Sequence, residues 1–155
     1  MVALLRAEVA EVRRQACYTL AAFGGTYAAA VLGTTLLNND HPAQLAAIEG
    51  LRQLHGVLRA PTCTDVVRWL LYALHQEQAE MQITALDSLS HLLWQAQRHR
   101  QQRAFYTISA EVLHDGMASQ LLNSSNAWVR QKAEEVVNLL ACTEHRLNGK
   151  LHSSP

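Results

Sequence analysis

The sequence predicts an all-α fold, an α-solenoid of about four stacked helical hairpins. Three observations predict it. One apolar stripe at helical spacing recurs four times, short polar turns stand before the later copies, and the composition favours helix nearly throughout. The chain has 155 residues, 49% of them hydrophobic, which is one domain's length with enough apolar material to bury a core. It is rich in Leu, Ala and Gln and has few runs of β-branched or aromatic residues.

The first copy of the stripe is Val12, Ala16, Leu20 and Phe23, an apolar residue followed by others at +4, +8 and +11, which share one side of a helix. Only Met1 to Leu5 stand where a full preceding helix would be, so the first hairpin is expected to be incomplete. Gly24-Gly25 punctuates the chain, and an apolar helix is expected over 26–37. The turn Asn38-Asn39-Asp40-His41-Pro42 then places a proline in a first helical turn, where its missing N–H costs nothing. The second stripe follows as Ala43, Ala47, Leu51 and Leu54.

Ala60-Pro61 breaks the chain again, and Thr62-Cys63-Thr64-Asp65 reads as a capping box opening a helix over 63–75. His75-Gln76-Glu77-Gln78 leads into the third stripe, Met81, Ala85, Leu89 and Leu92. After the basic run Arg98-His99-Arg100-Gln101-Gln102-Arg103, a helix is expected over 103–122, with a break at Asp115-Gly116 that suggests an added short helix. Ser124-Ser125-Asn126 supplies acceptors for the fourth helix, whose stripe is Val129, Ala133, Val137 and Leu140. Successive starts at 12, 43, 81 and 129 lie 31, 38 and 48 residues apart.

The line Val12-Arg13-Arg14-Gln15-Ala16, matched by Val129-Arg130-Gln131-Lys132-Ala133, resembles the Val-Arg-x-x-Ala-x-x-x-Leu helix of the armadillo/HEAT superfamily. Ala43-Gln44 and Met81-Gln82 depart from it, since Val-Arg is commoner there. The resemblance spans the chain to about residue 142 and implies a helical-repeat solenoid that acts as a non-catalytic protein-binding scaffold. One repeat domain over 1–146 with a flexible tail over 147–155 is expected. The incomplete first hairpin further suggests a segment or short isoform of a longer solenoid, with structural oligomerisation by end-to-end self-association as the alternative function.

The residues argue against several chemistries. Thirteen Lys plus Arg balance thirteen Asp plus Glu, so no net field draws the chain to phosphate backbones and nucleic acid is an unfavoured partner. Three scattered cysteines, Cys17, Cys63 and Cys142, form no disulfide framework and suggest an intracellular protein of cytoplasm or nucleus. No run reaches the ~18 to 20 apolar residues of a membrane span. The eight histidines form no His-x-x-x-His pair, and no nucleophile elbow or phosphate loop occurs, so no enzyme activity, cofactor or metal is expected. Cys63, in a first helical turn, is the one thiol whose position could favour a thiolate.

The expected binding surface follows from helical geometry. At about 100° per residue, the position two beyond each stripe alanine points away from the core. It reads Tyr18, Glu49, Asp87 and Glu135 through the four copies, with Arg52, Ser90 and Asn138 on the adjoining row and Trp94 extending the face. These residues form a candidate ladder for a basic or amide-rich protein or peptide, with Trp94 as its anchor. The basic run 98–103 is expected to be a solvated linker.

Overall fold

The computed structural model describes the backbone of residues 2–38 and 40–151, and side-chain surroundings over 3–38 and 40–141. The described chain is all helical. A 3₁₀ turn at Val2–Arg6 leads into α1 (Ala10–Phe23), α2 (Gly25–Thr35), α3 (His41–Gln53), α4 (Thr62–Leu74) and α5 (Ala79–Arg98). Then come α6 (Gln102–Asp115), the short α7 (Met117–Gln120), a 3₁₀ turn at Leu121–Asn123, and α8 (Ala127–Leu151). Of the expected tail, 147–151 lie in α8 and 152–155 lie outside the described residues. No described helix is long and apolar enough to cross a membrane.

Several helix ends follow from their local sequences. Asp40 accepts from the Ala43 N–H ahead of α3, with Pro42 in the first turn. Asn126 Oδ1 accepts from the N–H groups of Trp128 and Val129 and so starts α8. Gly116 adopts φ 73° and ends α6 at the expected break, after which α7 supplies the short extra helix. The expected capping box does not form. Thr62 is already helical and buried, no side chain caps α4, and the Pro61 carbonyl accepts from the Thr64 and Asp65 N–H groups instead.

The helices lie in two rows. In one, α1 packs on α3, α3 on α5, and α5 on α8; in the other, α2 packs on α4 and α4 on α6. Contacts of α2 with α3 and α4 with α5 join the rows, while α7 and the following 3₁₀ turn pack on α8. A single apolar cluster runs between them from Leu5 to Leu140. The second and third stripes are buried at all four positions, so sequence spacing and packing agree there.

The outer copies differ. Ala16 and Leu20 are buried, but Val12 and Phe23 are exposed, because among the described helices α1 ends its row, with α3 along one side and otherwise only the 3₁₀ turn and part of α2 against it. On α8, Val129, Ala133 and Leu140 are buried as expected, while Val136 takes the fully buried place and Val137 is half-buried. That helix also ends its row among the described residues.

One device recurs in every copy. The residue after the first stripe position reaches back to carbonyls of the preceding turn: Arg13 Nη1 to Ala7 and Glu8 (2.6 and 2.9 Å), Gln44 Nε2 to Leu36 and Asn38 (2.9 and 2.5 Å). Gln82 Nε2 reaches Leu74 and Gln76 (3.3 and 2.7 Å), and Arg130 Nη1 reaches Ser124 and Ser125 (2.6 and 3.0 Å). These donors satisfy carbonyls that helix ends and turns leave unpaired. Gln44 and Gln82, the departures from the repeat line, therefore do the same work as the arginines.

Candidate functional site

The row α1, α3, α5 and α8 brings the expected ladder residues together along one edge. Tyr18 Oη donates to Glu49 Oε2 at 2.5 Å, and Arg52 Nη1 donates to Asp87 Oδ2 at 2.9 Å. Lys132 Nζ then bridges Asp87 Oδ1 at 3.0 Å and Glu135 Oε2 at 2.9 Å. Each acid of the ladder thus has a partner in its own or an adjacent helix. The hydrogen bond to the Glu49 carboxylate, with burial second, raises the Tyr18 pKa, and hydrogen bonds to Glu135 and Asp87 raise that of Lys132.

The ladder therefore does not present free acids. Asp87 and Glu135 are matched by Arg52 and Lys132, so the edge shows little net charge where α5 meets α8. Sequence reasoning missed Lys132, which sits one place before the stripe alanine and reaches its partners through a long side chain. Its i,i+3 spacing from Glu135 was the available signal.

Between α5 and α8 lies an open groove of about 590 Å³. Asp87, Ser90, His91 and Trp94 line it from α5, and Glu135, Asn138 and Leu139 from α8. Trp94 is 46% exposed, and the Arg98 guanidinium lies over its ring, 4.9 Å from the centroid. Burial, and then the nearby Arg52 charge, lower the His91 pKa against an opposing pull from Asp87. The imidazole is therefore held towards its neutral form. A smaller depression of about 380 Å³ surrounds Tyr18 and Glu49, beside the His41–Glu80 contact of 2.9 Å.

The remaining candidates carry less. Burial pushes the Cys63 thiol up to about 11, which opposes any thiolate at the start of α4, and burial does the same to Cys17 with Asp40 adding to it. The Cys142 side chain lies outside the described surroundings. Among the described residues no three His, Cys, Asp or Glu side chains are grouped to hold a metal ion. The run 98–103 is exposed throughout, but only 99–101 connect helices, since Arg98 ends α5 and stacks on Trp94 while Gln102 and Arg103 open α6.

No protein-family model and no curated protein sequence matches the chain. Among solved structures it is similar to a crystal structure of an engineered protein from the Northeast Structural Genomics Consortium, with a TM-score of 0.64 and 20% sequence identity. The match covers 90% of this chain and 60% of that one, so the chain spans about three fifths of the engineered protein's length. At that identity the likeness is one of fold alone.

Proposed function

We propose that the chain is a non-catalytic protein-binding scaffold, an α-solenoid of the armadillo/HEAT type, that holds an extended peptide along the edge formed by α1, α3, α5 and α8. The observation that carries this reading is the half-exposed Trp94 at the open α5–α8 groove, in line with side chains from four successive helices. An aromatic ring that is fixed on a helix and open to solvent is the kind of residue that anchors interfaces. The recurrent turn-capping by Arg13, Gln44, Gln82 and Arg130 supports the repeat reading. An intracellular setting, cytoplasm or nucleus, rests on the three scattered cysteines.

The matched charges favour an amide-rich segment over a basic one. Asp87 and Glu135 already accept from Lys132, whereas the exposed Asn138 amide can both donate to and accept from a peptide main chain. Selection from a random display library of extended peptides tests this. Binders should lose about tenfold or more in affinity with Trp94→Ala, less with Asn138→Ala, and nothing with Arg100→Ala on the linker. Peptides weakened by Arg100→Ala alone would instead make the basic run the site.

A further inference from the structure

Between Asp87 and Glu111 the chain carries Arg98, Arg100 and Arg103, the histidines His91 and His99, and no acid. The acids at either end of that stretch are engaged. Asp87 accepts from Arg52 and Lys132, and Glu111 pairs with Arg68 at 3.2 Å. All three arginines are exposed, and among the described residues none of them has a carboxylate partner.

One of the three borders the α5–α8 groove. Arg98 ends α5 one turn beyond Trp94, about 5.4 Å along the helix axis, and its guanidinium lies over the indole. A guanidinium held on a ring uses its face there, and its N–H donors remain for a planar acceptor. The other charges at the groove cancel. Arg52 and Lys132 are set against Asp87 and Glu135 by contacts of 2.9 to 3.0 Å. His91 is held towards its neutral form, and Ser90 and Asn138 carry no charge. Arg98 is therefore the uncompensated charge of the described site, fixed beside its exposed ring.

We infer that the α5–α8 groove takes an extended peptide with an acidic side chain close to the group that packs on Trp94, and that Arg98 binds this carboxylate. The inference rests on the scaffold reading above and narrows its occupant from an amide-rich segment to an amide-rich, acidic one. Spacing follows from geometry. An extended chain advances about 3.3 Å per residue, so an offset of one helical turn places the acid within about two residues of the anchor. Stacking on Trp94 also limits the freedom that Arg98 loses when the carboxylate arrives. A basic residue there would meet like charge at Arg98 and acids already engaged at Asp87 and Glu135. A phosphate backbone fits less well, since its repeating charge would also pass those two acids.

Trp94-dependent peptides from the random display library are the probe. Asp or Glu should recur among them at one position within about two residues of the anchor. For the tightest binder, Arg98→Gln and replacement of that acid by its amide should each weaken binding about three- to tenfold in fluorescence anisotropy, and the two together no more than either alone. Arg98→Glu should reverse the preference, so that a peptide with Lys at that position binds better than the acidic original. A merely structural role for Arg98 would not produce that reversal. Arg100→Ala should leave the affinity unchanged. Binders indifferent to Trp94→Ala would overturn the scaffold reading and this inference with it. Trp94-dependent binders without a preferred acid, additive effects in the cycle, or no reversal with Arg98→Glu would overturn the inference alone. So would a single-stranded oligonucleotide that displaces the peptide and is itself lost with Arg98→Gln, because Arg98 would then serve phosphate.

Discussion

The first hairpin region and the middle of the molecule use the same stripe with different results. In α3 and α5 every stripe residue is buried, from Ala43 to Leu54 and from Met81 to Leu92. In α1 the inner pair, Ala16 and Leu20, is buried while Val12 and Phe23 stand in solvent. The difference lies in the neighbours. Each middle helix has a row partner on both sides, α1 and α5 for α3, α3 and α8 for α5, whereas α1 has α3 on one side and a five-residue 3₁₀ turn packed against it. An apolar pattern specifies which side of a helix can be buried, and the neighbours determine how much of it is.

The largest expected effect follows directly. Leu89→Ala, at a fully buried position of α5, should cost ~2 to 5 kcal/mol in chemical denaturation. Phe23→Ala, at the exposed end of the first stripe, should fall within about 0.5 kcal/mol of wild type when measured in the dilute monomer. Native-state hydrogen exchange should agree, with α1 opening at lower free energy than α5. Equal costs for the two substitutions would mean that the first hairpin is covered in solution.

A second substitution sharpens the contrast within the first hairpin itself. Gly33 on α2 faces inward, where an added Cβ would overlap the Trp69 indole of α4. Here the hairpin leaves no room for an added methyl group. Gly33→Ala should therefore cost ~1 to 3 kcal/mol through overpacking, although alanine is the better helix former. A stabilised Gly33→Ala protein would show that Trp69 can swing aside and that the α2–α4 contact is looser than its geometry.

How much of this was legible in the sequence depends on whether a feature is local or shared between helices. The helices at 26–37 and 63–75 lie within two residues of α2 and α4, because apolar spacing and turn residues are local signals. The alignment of Tyr18, Glu49, Asp87 and Glu135 was legible for the same reason, as a fixed offset from each stripe alanine. Their pairing was not, since Arg52 with Asp87 and Lys132 with Asp87 join residues 35 and 45 apart through flexible side chains. Val136 in place of Val137 shows the limit again: two adjacent valines differ only by 100° of rotation, and the neighbours of α8 choose between them.

The smallest effect tests why the copies differ in the residue that reaches back to the preceding turn. Arg13 does so while pairing with Asp40, the residue that caps α3 in the next copy. At the corresponding caps stand Gln78 before α5 and Asn126 before α8, both neutral. An arginine in place of Gln44, which is only 9% exposed, would find carbonyls but no counter-ion, so a neutral amide suits that copy better. Gln44→Arg alone should then destabilise by about 1 kcal/mol or more, and Gln78→Asp alone should be neutral or slightly stabilising, since an acid suits a helix N-terminus. Together they recreate the arrangement of the first copy, and a double-mutant cycle should return a favourable coupling of about 1 kcal/mol. The coupling should weaken with added salt, as expected of a pair still partly open to solvent. Strict additivity of the two changes would separate the choice of glutamine from the charge at the next cap.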